Sequence, residues 1–509
     1  MKDQFTRRDF LKLAGLLPPS VAAPWRLDTL YNQQGQQNVI VIVFDALSAY
    51  HVSLLGYQRE TMPNLARLAE RAVVYHNHYA GGNYTTPGTA SLLTGTHPWT
   101  HRAFQHNGTV SESFAKKNIF SVFQTYYRFT YTHNLLADTL FKQLKSEVDN
   151  NIPRNSFFIT GEDFIPKLFN KDEDIASVSW IRTIKRKEEG HAYSLFLSRL
   201  HEPYWEMHWE SKIAGLKPKY PRDIPGDGTN YFLLEQAVDS ITDMLASMPQ
   251  PFIGYLHFWP PHAPYRTHRD FYGRFYEDSW KPALKPLDSL ATEKNLPFAR
   301  DRLEYDESIL YVDREFGRFY DRLKASGQLE NTWIIFTSDH GELFERGISG
   351  HNTPVLYEPL VRIPLIIFEP GRNTRRDVYT PTSAIDVLPT ILHISGQPQV
   401  DWTEGKVLPP YDQIAPDTER SVYVLEASKN KKNSPLTTAT IALIKGRYKL
   451  MYFFGYDQLG GPRSERIELY DVKNDSEELN DLSSSKREMT SELLNELKQK
   501  LLEMNEPYS

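Results

Sequence analysis

The sequence predicts an α/β fold built on a mostly parallel central sheet. Two continuous apolar runs, Asn38–Phe44 and 333–337, have no polar face, which is typical of parallel strands that are buried on both sides. The first run is followed directly by Asp45 and the second, after one further residue, by Asp339. Because open α/β sheets place their chemistry at the carboxyl ends of the strands, both carboxylates are candidate site residues.

Composition excludes several classes of function. The 509 residues carry a formal net charge of −6, whereas binding to a nucleic acid backbone requires a basic surface, so we expect a small-molecule or polymeric substrate and no nucleic acid partner. The chain contains no cysteine. This excludes disulfides, thiolate metal ligands, thiol nucleophiles and any catalytic group derived from cysteine.

The N-terminus predicts export from the cytoplasm. The Arg7-Arg8 pair precedes a short apolar segment, 13–23, that ends in small residues. This pattern resembles a twin-arginine signal over residues 1–23, which would leave a periplasmic or extracellular protein. An amphipathic segment with a chance arginine pair is the alternative. The segment is shorter than the ~20 residues of a membrane helix, and we expect no transmembrane segment elsewhere.

A carboxylate and two imidazoles follow the second apolar run. Asp339 and His340 are adjacent, and His351 comes after a short loop. One oxygen and two nitrogen ligands suit zinc or a similar divalent ion, although a hydrated turn is equally compatible with these residues.

A glycine-rich segment, 80–95, predicts a second part of the site. It runs into a short helix whose first hydroxyls belong to Thr85 and Thr86. Backbone N–H groups and the positive end of the helix dipole meet there, so the position suits an anion. Simple helix capping is the alternative reading of both hydroxyls.

Seven motifs occur along the chain in a fixed order. They are the strand that ends at Asp45, TTPGTASLLTG (85–95), LHFWPPHAPY (256–265), YDESILYVDREFGRFYDRL (305–323), SDHGELFERG (338–347), LYEPLVRIPLII (356–367) and SAIDVLPTILHISG (383–396). This order resembles the sulfatase-like branch of the alkaline phosphatase superfamily. The resemblance implies an alkaline-phosphatase-like α/β sandwich at 24–404, with an insertion at about 142–230. A small C-terminal subdomain, an antiparallel sheet with a helix, is implied at 405–509.

The nucleophile position departs from the sulfatase pattern. Sulfatases have Cys-x-Pro-Ser-Arg and convert the cysteine to formylglycine, whereas this chain has Thr85, Gly88 and Thr89 at the cysteine, serine and arginine positions. The resemblance to phosphoethanolamine transferases, lipoteichoic acid synthases and nucleotide phosphodiesterases, which use a threonine, implies Thr85 as nucleophile, with Thr86 as the alternative. A divalent cation favours the alkoxide of a hydroxyl.

The resemblance also implies a set of metal and catalytic residues. Metal ligands would be Asp45, Thr85, Asp339 and His340, while His262 and His351 would hold the transferring group or a second metal ion. Ala46 stands where many sulfatases have a second carboxylate, so the remaining Asp/His set favours zinc or manganese over calcium, with one or two ions. His262 as a structural turn residue and His351 as an exposed loop residue are the alternatives. His257 is expected to pack at its strand end, and His133 is a candidate for the rim.

The sequence therefore predicts a metal-dependent hydrolase or transferase that acts on a phosphate ester through a covalent phospho-threonine at Thr85. The substrate would be a small molecule or a lipid or glycan ester. One alternative is a sulfatase in which the threonine alkoxide attacks a sulfate ester. The other is an exported binding protein that has lost catalysis, in favour of which Ala46, Gly88 and Thr89 can be cited.

Overall fold

The computed structural model describes residues 36–159, 207, 210–228, 230–291, 298–412, 417–460 and 464–508. The predicted export signal at 1–23 and much of the predicted insertion at 142–230 lie outside the described residues.

Short and long strands alternate with helices along the described chain. The strands are β1 (Asn38–Phe44), β2 (Val73–Tyr75), β3 (His78–Tyr79), β4 (Tyr127–Thr132), β5 (Asn150–Asn151), β6 (Phe252–Phe258), β7 (Thr332–Thr337), β8 (Leu343–Glu345), β9 (Ile348–Gly350), β10 (Leu365–Phe368), β11 (Arg376–Val378), β12 (Thr382–Ser383), β13 (Ser421–Glu426), β14 (Ala439–Lys445), β15 (Tyr448–Phe454) and β16 (Glu465–Asp471). The α-helices are α1 (Pro63–Ala69), α2 (Thr85–Thr94), α3 (Pro98–His101), α4 (Ile119–Val122), α5 (Leu135–Gln143), α6 (Leu234–Leu245), α7 (Phe298–Ala325), α8 (Glu358–Val361), α9 (Val387–Ile394) and α10 (Arg487–Asn505). None of these helices combines the length and the apolar character needed to cross a membrane.

The central sheet has the strand order β11-β2-β10-β7-β1-β6-β4-β5. Strand β1 lies near its centre and pairs in parallel with both β6 and β7. Strand β10 is antiparallel to its two neighbours, β2 and β7, while the other described pairs in this sheet are parallel. The predicted mostly parallel sheet is therefore confirmed.

Helices cover both faces of this sheet. Alternate residues of β1 point to opposite sides: Ile40 and Ile42 belong to one hydrophobic cluster, Val41 and Val43 to another. The first cluster includes apolar side chains of α1, α6 and α7, and the second includes those of α2, α4, α5 and α9. A strand with both faces buried needs apolar residues at every position, which explains the uninterrupted run that predicted it.

The register of the parallel strands brings the predicted acidic residues to one place. Val43 of β1 is level with His257 of β6 and with Thr337 of β7. Asp45 and Asp339 each lie two residues beyond that level, so the two carboxylates leave the same edge of the sheet next to each other.

The C-terminal part contains a separate antiparallel sheet, in the order β13-β14-β15-β16. Helix α10 packs on it through Leu493, Leu497 and Met504, which are buried with apolar residues of β14 and β15. The predicted small antiparallel sheet and C-terminal helix are confirmed. A buried ammonium, Lys449 Nζ, joins this sheet to helix α8 because it lies 3.1 Å from Glu358 and 2.7 Å from Glu478.

Candidate active site

Four of the predicted residues meet at the carboxyl end of the central sheet. Asp45 follows β1, Asp339 and His340 follow β7, and Thr85 opens helix α2; all four are buried. His340 Nε2 lies 3.4 Å from Thr85 Oγ1, 3.4 Å from Asp45 Oδ1 and 3.6 Å from Asp339 Oδ2. A hydroxyl, two carboxylates and an imidazole therefore surround one small volume.

The neighbouring hydroxyl, Thr86, does not share this position. Thr86 Oγ1 is buried and makes no hydrogen bond within the described part of the chain, whereas Thr85 Oγ1 contacts both His340 and Asn134. The two threonines that the sequence could not separate thus differ in their contacts.

Helix α2 reaches the site because Gly88 has no side chain. A Cβ atom at position 88 would lie 2.2 Å from the carbonyl oxygen of Asp339 and 3.2 Å from its Cβ. Only glycine allows this close approach of the helix to the strand end. Close packing of helix α2 against residue 339 therefore requires glycine at position 88, where sulfatases have serine.

Asn134 is a site residue that the sequence analysis missed. Its Nδ2 donates to Asp45 Oδ2 and, over 3.2 Å, to Thr85 Oγ1. Its Oδ1 accepts hydrogen bonds from the backbone N–H groups of Leu136 and Ala137 and so caps helix α5. The sequence signal was an asparagine between a strand and a helix, which alone predicts a cap and no catalytic role.

His257 is the second addition to the site, since its position at the end of a strand predicts only a packing residue. Its Nε2 lies 3.3 Å from Asp45 Oδ2 and 3.6 Å from Asp339 Oδ2. Ligand atoms of Asp45, His257 and Asp339 all lie within 4.8 Å of one another, and the three residues are buried. This group is a possible metal site.

Unsatisfied buried atoms support that possibility. Within the described residues, Asp339 Oδ2 and both ring nitrogens of His257 are buried and make no hydrogen bond. Leaving such groups without a partner is costly, and each one calls for a water, an ion or a functional reason. The other oxygen, Asp339 Oδ1, accepts from the backbone N–H groups of Ala46 and His340, which orients Oδ2 toward the site. The residues present therefore fit a divalent cation.

The electrostatics of the site fit as well. Burial alone would raise the pKa of Asp45, but His262, His257 and His340 outweigh it and hold this pKa well below its usual range. Burial alone would lower the pKa of His340, but Asp339 and Asp45 raise it to about 9. Asp45 is thus ionised at neutral pH, and the proton on His340 supplies positive charge that a bound cation would replace.

The two remaining predicted histidines lie beside His340. The rings of His262 and His351 are 4.9 Å apart, and the ring of His351 is 4.4 Å from that of His340. His351 Nδ1 lies 3.0 Å from Glu342 Oε1, which fixes the ring. His351 is only 9% exposed, so it is not the solvent-exposed loop residue of the alternative reading. The sequence signal for this contact is Glu342 itself, which follows Asp339 in the SDHGE motif but is not among the predicted site residues.

The loop of His351 is tied to the loop that precedes the nucleophile. Asn83 Nδ2 donates to the carbonyl oxygens of His351 and Thr353, over 2.9 and 2.8 Å. His133, by contrast, is buried and stacked on Phe232 at 4.0 Å. The expectation that His133 lies at the rim is wrong, because aromatic packing takes its ring into the core.

Comparisons with known proteins agree with this architecture. The sulfatase family model matches residues 37–397, and a model for the C-terminal region of N-sulphoglucosamine sulphohydrolase matches residues 351–507. Choline-sulfatase of Rhizobium meliloti is 24% identical over 483 residues, covering 89% of this chain and 83% of that protein. A multifunctional alkaline phosphatase superfamily protein of Trinickia caryophylli is 25% identical over 422 residues, covering 74% of this chain and 77% of that protein. The crystal structure of a phosphonate monoester hydrolase of Agrobacterium radiobacter superposes with a TM-score of 0.65 at 17% identity, over 93% of this chain and 96% of that chain.

Proposed function

The chain belongs to the sulfatase family and is an ester hydrolase by that membership; on this premise we propose that it cleaves or transfers a phosphate ester through a covalent phospho-Thr85 intermediate with the help of a divalent cation. The observation that carries the proposal is the position of the Thr85 hydroxyl, 3.4 Å from His340 and 3.2 Å from Asn134, at the edge of the possible metal site. The chain has no cysteine that could be converted to formylglycine.

The cation would be held by Asp45, Asp339 and His340, with the hydroxyl of Thr85 beside them. When bound, a divalent ion lowers the pKa of a coordinated hydroxyl and neutralises charge on the transferring group. A centre of carboxylates and imidazole favours zinc or manganese over calcium, which prefers six to eight oxygens.

The side chains of this chain then account for the reaction. Thr85 Oγ, once its proton has passed to solvent, attacks phosphorus in line with the ester oxygen that leaves, and the bond between phosphorus and that oxygen breaks. The Nδ2 group of Asn134, already directed at Thr85 Oγ1, donates to the oxygen while it is negatively charged. His262 and His351 lie beside His340, and one of them can give a proton to the departing alcohol.

The second displacement of the reaction regenerates the free threonine. Water, or the hydroxyl of an acceptor, attacks phosphorus and breaks its bond to Thr85 Oγ, so that the threonine regains a proton. Glu342 keeps the ring of His351 in one orientation through this cycle, since its Oε1 lies 3.0 Å from Nδ1. Two displacements through the same residue permit hydrolysis and transfer alike.

A sulfate ester is the second candidate substrate, and the observation that favours it is the family match itself. The relative from Rhizobium meliloti is a choline-sulfatase, while the neighbour from Agrobacterium radiobacter hydrolyses phosphonate monoesters. Small-molecule and glycan or lipid esters fit the proposal. Phosphate takes precedence over sulfate because a threonine stands at the nucleophile position.

The test is a substrate panel with matched variants. Purified protein is assayed on an aryl sulfate, an aryl phosphate and a bis-aryl phosphate with zinc, manganese or calcium added, and Thr85→Ala is compared with Thr86→Ala. We expect turnover of a phosphate ester that Thr85→Ala abolishes and Thr86→Ala retains. Full activity in Thr85→Ala would refute the nucleophile, and turnover of the aryl sulfate alone would move the substrate to sulfate esters.

We also propose that residues 1–23 direct export through a twin-arginine pathway. Replacement of Arg7 and Arg8 by lysine should keep the protein in the cytoplasm with its N-terminus intact. Cleaved protein outside the cytoplasm in that variant would contradict the signal.

A further inference from the structure

The first strand brings only one carboxylate to the site. Ala46, which follows Asp45, has no polar side chain and contributes only its backbone N–H, which donates to Asp339 Oδ1 over 3.2 Å. A cation between Asp45 and Asp339 would therefore have an open side next to strand β6. The ring of His257 occupies that side, because β6 pairs directly with β1.

We propose that His257 is a direct ligand of the divalent cation, so that two carboxylates and two imidazoles hold it: Asp45, Asp339, His257 and His340. This inference rests on the proposed function only for the presence of a cation. It adds a ligand from a strand that the predicted metal set did not use.

The distances place His257 with Asp45 and Asp339 in one compact group of ligand atoms. His257 Nε2 lies 3.3 Å from Asp45 Oδ2 and 3.6 Å from Asp339 Oδ2. His340 Nε2 lies 3.4 Å from the other oxygen of Asp45, Oδ1, and 3.6 Å from Asp339 Oδ2. Ligands at about 2.0–2.1 Å from a tetrahedral zinc ion lie about 3.3–3.4 Å from each other. Each imidazole thus stands near ligand spacing from Asp339 Oδ2 and from one of the two oxygens of Asp45.

The chemistry of the ring decides between a ligand and a packing residue. A fully buried histidine that only packs in a core normally satisfies its ring N–H with a hydrogen bond. Both nitrogens of His257 are without a hydrogen bond in the described structure, and Nε2 is directed at two carboxylates. His78 is equally buried, but only its Nε2 is without a hydrogen bond within the described chain, because its Nδ1 lies 2.9 Å from the hydroxyl of Thr382.

A second imidazole has a consequence for metal selection. Imidazole nitrogen suits zinc and other transition metals, whereas calcium and magnesium prefer sites made of oxygen. His257 supplies a nitrogen donor in place of an oxygen donor, so it should determine which metal ion the site prefers. Changing it to aspartate should shift that preference toward hard cations.

The first experiment needs no variant. Wild-type protein loaded with one equivalent of zinc is measured by X-ray absorption at the zinc edge, where the outer-shell scattering counts imidazole ligands. We expect two imidazoles with oxygen ligands at about 2.0–2.2 Å. A spectrum with one imidazole would overturn the role of His257 and leave Thr85 catalysis untouched.

The second experiment measures affinities by calorimetry for zinc, manganese and calcium. His257→Ala should weaken zinc binding by more than about 100-fold, because even loss of a residue that only supports a ligand costs 10- to 100-fold. His257→Asp should raise calcium affinity relative to zinc, and the control His78→Asn should bind zinc like wild type. Unchanged zinc affinity in folded His257→Ala would overturn the inference. Neither experiment uses turnover, so a missing activity would count against the proposed function alone.

Discussion

The substitution Gly88→Ala tests how closely the nucleophile helix must approach the strand end that carries Asp339. The added Cβ would lie 2.2 Å from the carbonyl oxygen of Asp339 and 2.9 Å from its carbonyl carbon, while ordinary contact begins at 3.4 Å. Helix α2 and residue 339 must therefore separate by about 1 Å. Both partners at the closest contact are backbone atoms, so no side-chain rotation can relieve it.

The expected effect on catalysis follows from that displacement. Thr85 lies one helical turn before Gly88, so the nucleophile moves with the helix away from Asp339 and His340. A misplacement of 1 Å at a reacting centre can cost about 100-fold in rate. Overpacking of this kind also costs about 1–3 kcal/mol of folding free energy, although alanine favours a helix over glycine by about 1 kcal/mol.

The assay is kcat/KM on the best ester of the substrate panel, with bound metal and melting temperature recorded for each variant. Gly215→Ala is the matched control, because a Cβ there meets nothing within 4 Å. We expect a loss of about 100-fold in Gly88→Ala and wild-type activity in the control. Wild-type kcat/KM in Gly88→Ala would refute the reasoning.

Three further predictions follow from buried polar contacts. Asn134→Ser keeps a good helix cap but removes the amide that donates to Thr85, so kcat should fall by about 10²–10³, as when one oxyanion donor is lost; an unchanged kcat would contradict this role. Lys449→Met leaves the buried Glu478 without its cation and Glu358 with only Arg362 at 3.5 Å, so it should cost about 3–5 kcal/mol in chemical denaturation. Lys498→Met removes a half-exposed pair worth about 0–1 kcal/mol, and equal losses in the two variants would contradict the burial argument. With its pKa raised to about 9, His340 is protonated at pH 7 in the metal-free protein, and a bound cation must displace this proton. Calorimetry in several buffers at pH 7 should therefore detect release of about one proton per zinc ion. The absence of proton release would contradict the raised pKa.

The sequence predicted the carboxylates of the site because they end apolar strands. An uninterrupted apolar run such as Asn38–Phe44 is typical of a central parallel strand, and neighbouring parallel strands end at a common edge of the sheet. Asp45, Asp339 and His340 were therefore predictable from position alone, and the family resemblance supplied Thr85.

The residues that were missed depend on features that periodicity does not contain. His257 lies inside a strand, and only the register of β6 against β1 shows that its ring reaches both carboxylates. Asn134 has the sequence signal of a helix cap, and its second role follows from the 3.2 Å between its Nδ2 and Thr85 Oγ1, which only the folded chain brings together. The sequence alone suggests that Gly88 replaces a catalytic serine. The structure gives a different reason for the glycine, because a Cβ atom at position 88 would lie 2.2 Å from the carbonyl oxygen of Asp339.

The stereochemical course at phosphorus tests the covalent intermediate most directly. The wild-type protein turns over a P-chiral thiophosphate diester in water labelled with ¹⁸O, so that the thiophosphate monoester product is itself chiral at phosphorus and its configuration can be determined. Each in-line displacement inverts phosphorus, so attack by Thr85 followed by attack of water predicts net retention. Net inversion would mean that water attacks the substrate directly, and it would contradict the phospho-threonine mechanism.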